Sequence, residues 1–341
     1  MKKINILNFT IEELNEYIIG IGLPKYRAKQ IRKNIYNGVF DFYKMTDLPL
    51  DIREKLNQIA HTGELEIVQK LRSNIDGTCK YLFNLGDGNV IESVLMKYKY
   101  GYSACISSQV GCKMGCTFCA STGLTFDRNL SSGEMISQIL SMQKDEGVRV
   151  GNVVIMGIGE PLDNYDNVVK FLRESGSSDG LNISLRKISL STCGVVPGIQ
   201  RLAEEDLSIT LSVSLHSPYD SERARMMPIN KKYPISDLIE ACRYYVEKTG
   251  RRITFEYAMI SGVNDTLEHA QDLGRLIKGL LCHVNLIPIN KIQNNRYDRS
   301  KLESIKNFEQ RLSQKGISVT VRRELGPDIE AACGQLRRTK V

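Results

Sequence analysis

No stretch of this 341-residue chain stays apolar for long enough to cross a membrane. Its start, MKKINILNFT, carries Asn5 and Asn8, which interrupt any apolar run before it reaches signal-peptide length. A cytoplasmic protein is therefore expected. No segment repeats, and no low-complexity linker separates one part from another. Histidine is scarce, with four in the chain, and those nearest the cysteine-rich stretch, His61 and His216, are far from it in sequence. A paired set of cysteines is also missing. The count is nine, and an odd number in a reducing compartment argues against a disulfide framework and for metal ligands or catalysts.

What remains is ordinary in bulk. A hydrophobic content of 42% and a charged content of 25% suit a globular protein, long enough for one large domain and an accessory one. The formal charge of +7 points toward a polyanionic partner.

Residues 10 to about 60 read as helical. Thr10-Ile11-Glu12-Glu13 has capping-box spacing ahead of an apolar-periodic run, and Pro24 suits the first turn of a second helix. That helix, PKYRAKQIRKNIYNG, places Ala28, Ile31 and Ile35 on one face. Lys25, Arg27, Lys29, Arg32 and Lys33 cover much of the rest, and Gly38 is a stop. Such a charge run is more often a solvated face than a nucleic-acid contact. From about 63 to 97 the period becomes two, and CKYLFNL and VIESVLM, joined by GDGN, read as a hairpin.

After residue 98 strands alternate with helical patterns. VVIM (153–156), KISLST (187–192), SITLSVSL (208–215), ITFEYAMI (253–260), HVNLIPI (283–289) and ISVTVRR (317–323) are the strands. Their recurrence implies parallel βαβ units. Along LSITLSVSLH, Leu207, Ile209, Leu211, Val213 and Leu215 alternate with Ser208, Thr210, Ser212, Ser214 and His216. A doubly wound sheet would read as continuously apolar. An apolar face toward outer helices and a polar face toward a lumen fits a barrel better.

The chemistry begins at CISSQVGCKMGCTFC, residues 105–119, where Cys112, Cys116 and Cys119 are spaced C-x3-C-x2-C. Structural zinc wants four ligands, often as two C-x2-C pairs, and no second pair follows, although Cys105 could supply a fourth thiolate. A [4Fe–4S] cluster normally takes four thiolates, and held by three it leaves one iron open to a small molecule. Further on, GIGEPLDN lacks the third glycine of a dinucleotide fingerprint, and Pro161 interrupts it.

C-x3-C-x2-C with Phe118 before the last cysteine resembles the signature of the radical S-adenosylmethionine (SAM) superfamily. The resemblance implies a full or partial (β/α) barrel and one [4Fe–4S] cluster. Its open iron would chelate SAM, whose reductive cleavage yields a 5′-deoxyadenosyl radical. GIGEP then resembles the element that grips the SAM amino group. NVIESVLMKYK, RNLSSGEM, SLSTCGVVP, SVSLHSP, MMPINKKYPI, VNLIPIN and DIEAACGQLR sharpen the match, over nearly the whole chain, to the RlmN/Cfr family of RNA adenine methyltransferases.

That resemblance implies a two-step route using two SAM molecules. A cysteine near the C-terminus takes a methyl from one SAM, and the radical from the second removes a hydrogen from that S-methyl group. The methylene adds to adenine, and a second cysteine removes the proton and closes a disulfide that frees the product. Carried over by position, Cys112, Cys116 and Cys119 hold the cluster. Cys333 carries the methyl, Cys105 resolves it, and Glu92 is the proton acceptor. SAM contacts fall on Gly159, Glu160, Ser191, Ser214, Leu215, His216 and Asn290.

The residues alone leave blander readings open: a core role for Cys105, a loose tail around Cys333, a solvent-facing Glu92, a satisfied barrel residue at His216. Cys79, Cys193, Cys242 and Cys282 read as structural or incidental. The expected product is C2-methylated adenosine, at position 2503 of 23S rRNA and position 37 of some tRNAs. NLIPIN favours C2, whereas SLHSPY leans toward the C8 chemistry of Cfr enzymes. A non-enzymatic metal-binding RNA-binding module and a radical SAM activase of a protein substrate are the alternatives from other classes. The expected fold is α/β, a partial (β/α)6 barrel over 98–327. It would follow an N-terminal RNA-binding domain over 1–97 (helical 1–60, hairpin 63–97) and precede a catalytic tail over 328–341. A flavodoxin or ferredoxin as electron donor, a monomeric state and no membrane contact complete the expectations.

Overall fold

The computed structural model describes residues 3–122, 125–289 and 297–331. Three helices build the N-terminal part: α1 (Ile11–Gly20), α2 (Tyr26–Tyr36) and α3 (Leu50–Ile59). Both halves of the capping box form. The Glu13 amide donates to Thr10 Oγ1 at 3.2 Å, and the Thr10 amide donates to Glu13 Oε2 at 2.8 Å. Pro24 stands one residue before the N-cap, Lys25, instead of inside α2. Ala28, Ile31 and Ile35 are buried as their spacing requires.

Arg32 departs from the solvated face expected of it. It is 5% exposed, donates to the Asp179 carbonyl at 2.8 Å and the Phe9 carbonyl at 3.3 Å, and pairs with Glu174. Four residues after Ala28, it borders the apolar stripe, so its guanidinium turns inward and ties α2 to the barrel.

Four strands form an antiparallel meander: β1 (Glu66–Arg72), β2 (Cys79–Asn84), β3 (Val90–Tyr98) and β4 (Gly101–Ile106). Six more run parallel from β4 onward: β5 (Val150–Ile155), β6 (Ile188–Thr192), β7 (Thr210–Ser214), β8 (Ile253–Met259), β9 (Cys282–Pro288) and β10 (Ser318–Val321). Among the described residues these make a ten-stranded sheet whose spatial order is the chain order, from β1 to β10. The crossovers run through α4 (Ser132–Glu146), α5 (Tyr165–Gly176), α6 (Val196–Ala203), α7 (Asp220–Met226) with α8 (Ile235–Thr249), α9 (Leu267–Leu276) and α10 (Leu302–Ser313). This is the partial (β/α)6 barrel, with β10 as a further strand. The division expected after residue 97 falls inside β3, which hydrogen-bonds to β4 with Val94 opposite Cys105. The hairpin thus extends the barrel sheet.

The alternation along β7 has the expected consequence. Leu211 and Val213 are fully buried in the main core, while Ser214 lines a cavity at the strand's C-terminal end. No described helix is long and apolar enough to cross a membrane.

Candidate functional site

The cavity opens where the parallel strands end, which is where βα loops gather in such sheets. Cys112, Cys116 and Cys119 line it on a loop that follows β4. Gly111 lets that loop turn: its φ is +76°, and a Cβ there would stand 2.3 Å from the Thr125 carbonyl oxygen. The Thr117 amide donates to the Met226 carbonyl at 2.9 Å, which docks the loop on the end of α7. Phe118 meets the His216 ring edge-on, with centroids 4.7 Å apart.

Across the cavity, the GIGEP segment leaves β5. A Cβ on Gly157 would lie 2.7 Å from the Ile106 carbonyl, and one on Gly159, whose φ is +112°, 2.6 Å from Gln109 Cβ. Both positions demand glycine. Glu160 is 3% exposed, and its carboxylate accepts from the Leu162 amide at 3.0 Å and the Cys193 amide at 2.7 Å. Burial raises its pKa, and those hydrogen bonds oppose the rise. Glu160 lines the cavity, where its carboxylate can balance an ammonium.

Ser191, Ser214 and His216 line the same space. His216 Nδ1 accepts from the Ala258 amide at 2.9 Å. Burial, with the Arg223 charge adding to it, lowers its pKa to about 3, so the ring is neutral. Leu215 does not line this space: its side chain lies in the main core, and its amide donates to the Glu256 carbonyl at 3.1 Å. Cys105 stands apart, in a small cluster with Val94, Met96, Ile158, Leu325 and Ala331. Glu92 is 5% exposed and lies 3.8 Å from Lys80 Nζ, so it does not face solvent on its hairpin. It shares a sheet face with Val94, which is paired with Cys105. Strand geometry puts such diagonal neighbours about 7–8 Å apart. Asn290 and Cys333 lie outside the described residues.

The sequence reading missed several residues of the cavity and one, Arg223, that braces its wall without lining it. Arg223 is fully buried and donates to the carbonyls of Cys193 at 2.7 Å, Ser214 at 2.9 Å and Leu215 at 3.2 Å, holding two strand ends together. Cys193, which reads as structural or incidental in the sequence, lines the cavity, as do Glu256 and Arg322. Glu256 was detectable, because ITFEYAMI alternates and places Thr254, Glu256 and Ala258 on one face. Arg223 carries no such pattern.

Burial pushes the Cys112 thiol up to about 11 and raises Cys116 further, with the neighbouring cysteines adding to it. Cys112 and Cys116 in such a place ionise readily only against a metal's positive charge. Among the described residues no three Cys, His, Asp or Glu side chains stand close enough to share one metal ion. The thiols border one cavity while Cys105 packs elsewhere. Three thiols on one cavity fit a cluster that keeps one iron open.

A family profile described as the radical SAM superfamily matches residues 106–274. Another, the ribosomal RNA large subunit methyltransferase N-terminal domain, matches residues 4–62. A probable dual-specificity RNA methyltransferase RlmN of Clostridium novyi is 52% identical over 338 residues, covering 99% of this chain and 98% of the relative. Its counterpart in Alkaliphilus oremlandii is 53% identical with the same coverage. The crystal structure of a radical SAM methyltransferase from Sphaerobacter thermophilus aligns with a TM-score of 0.94 at 43% identity, covering 98% of this chain and 99% of that one. Radical SAM enzymes work with a [4Fe–4S] cluster and SAM, and the cavity's residues suit both. The chain belongs to the RlmN family of radical SAM methyltransferases.

Proposed function

We propose that the protein methylates C2 of adenosine 2503 in 23S rRNA and of adenosine 37 in some tRNAs. One observation carries the reading: Cys105 packs against a small cluster that contains Leu325 and Ala331, and Cys333 follows Ala331 by two residues. The relatives' names, dual-specificity RNA methyltransferase RlmN, support RNA as the substrate.

Bound at Cys112, Cys116 and Cys119, the cluster would supply the electron that cleaves SAM to a hydrogen-abstracting radical. Gly159, Glu160, Ser191, Ser214, Leu215, His216 and Asn290 are the residues we assign to SAM. The Cys333 thiolate accepts a methyl from the first SAM, and that methyl group later gives up a hydrogen and bonds to C2. Glu92 and Cys105 stand on one sheet face to take up the C2 proton. The Cys105 sulfur then attacks that of Cys333 and breaks its S–C bond; the freed methylene carbon takes up a proton to become the methyl on the base, and the one surplus electron would return to the cluster. We place the enzyme in the cytoplasm, as a monomer reduced by a flavodoxin or ferredoxin.

Nucleoside mass spectrometry of 23S rRNA and tRNA from a deletion strain tests the reading. Loss of 2-methyladenosine from both RNAs, restored by the gene, is expected. Loss of 8-methyladenosine instead would replace C2 by C8, and unchanged RNA would overturn the proposal.

A further inference from the structure

The proposed chemistry needs Cys333 beside Cys105, and the described chain ends two residues short of it. That stretch is held by the turn between β1 and β2. Asp328 Oδ1 accepts from Ser73 Oγ at 2.7 Å, and its Oδ2 accepts from the Asn74 amide at 3.0 Å. In the opposite sense, Asp76 Oδ2 accepts from the Gly326 amide at 2.9 Å, while its Oδ1 accepts from the Thr78 amide at 2.9 Å. Lys80, on β2, donates to the Glu330 carbonyl at 3.3 Å and lies 3.8 Å from Glu92 Oε1. One ammonium therefore touches both the tail and the carboxylate assigned to proton uptake.

The tail is shaped to fit this turn. Gly326 and Glu330 have φ of 60° and 51°, and the Ala331 amide donates back to the Gly326 carbonyl at 3.0 Å. A Cβ on Gly326 would stand 2.8 Å from Ala331 Cβ and 3.2 Å from Thr78 Cγ2. A left-handed glutamate persists only where its surroundings over-determine it. Here those surroundings are Lys80 and the turn, and they fold Ala331 back into the Cys105 cluster. Two further residues span at most about 7 Å. Ala331, from which the chain continues to Cys333, thus lies in the cluster against which Cys105 packs.

We propose that residues 73–80 are the seat of the C-terminal segment, and that Asp76, Lys80 and Asp328 are positioning residues that keep Cys333 within reach of Cys105. This rests on the assignment of Cys333 and Cys105 as the reacting pair. The hydrogen bonds to the tail are partly buried or exposed, and each is weak singly. Together they raise the effective concentration of one thiol at the other.

The test uses the full-length, cluster-containing protein under anaerobic conditions with glutathione disulfide, which takes up the two electrons as the thiols join. The Cys105–Cys333 cross-linked peptide is followed by mass spectrometry. The unaltered protein should cross-link, and Asp76→Ala/Asp328→Ala should do so about tenfold more slowly, the equivalent of one lost charge-assisted hydrogen bond. Asp328→Asn, which keeps one acceptor oxygen, should fall between. No cross-link in the unaltered protein would overturn the pair and the seat with it. Equal rates in both proteins would overturn the seat and leave the pair standing. Should the double variant fail to fold, hydrogen exchange of the 326–331 peptide in the unaltered protein decides. Protection supports the seat, and exchange as fast as in a free peptide overturns it.

Discussion

Glu160 spends two acceptor positions on the amides of Leu162 and Cys193. Glu160→Gln would turn an NH2 group toward one of these donors and leave it unpaired, costing about 1–3 kcal/mol. A lower denaturant midpoint together with weaker SAM binding is expected, and an unchanged midpoint would show that the amides find other partners. Replacing Cys112, Cys116 or Cys119 by Ala removes one of three protein ligands, so each purified variant should lack iron and the brown colour. Full iron in all three would refute the cluster assignment. Much of this scale was legible beforehand, because thiol spacing and a G-x-G-E-P run are local patterns. Arg223 was not, since three carbonyls from two strand ends define its role and they meet only in the folded chain.

At the scale of elements, the hairpin's place in the sheet follows from pairing that period-two alternation does not specify. Alternation marks strands but does not say that Val94 lies opposite Cys105. Outside the barrel, β1 is clamped to α4, where Arg72 Nη2 reaches the Glu146 carboxylate at 2.5 and 2.7 Å and Lys70 pairs with it. Burial opposes ionisation of Glu146, but these two partners outweigh it and lower its pKa to about 2. A depressed carboxylate pKa contributes stability above the unfolded value, about 4.3, and loses it as pH falls toward 2. Glu146→Gln should therefore cost up to about 1 kcal/mol at neutral pH after solvent screening. The gap should close as unfolding is measured at successively lower pH, and a gap that widened on acidification would contradict the clamp. Arg32 carries a related lesson. A cation bordering an apolar stripe reads as surface until the helix docks on a neighbour that supplies Glu174.

Across the whole molecule, the two ends of the barrel differ. The cavity lies where strands end, whereas a wider cleft lined by Lys29, Lys33, Lys144 and Arg149 lies where strands begin. An RNA whose adenine enters the cavity reaches that cleft only if it wraps the barrel. Neutralising Lys25, Lys29 and Lys33 should weaken binding of a full tRNA and reduce its salt slope by about 2–3, but leave a short hairpin substrate unaffected. An equal effect on both RNAs would place α2 against the target stem instead. The target base must also leave its stack, at about a few kcal/mol, so naked or partly assembled rRNA should be methylated faster than mature ribosomes. The central claim is that Cys105 and Cys333 act in sequence at one site, and Cys105→Ala incubated with SAM, reductant and substrate RNA tests it most directly. After nuclease trimming, the C-terminal peptide should carry an adenosine joined through a methylene to Cys333. Free 2-methyladenosine released at the unaltered enzyme's rate, with no adduct on that peptide, would contradict the account.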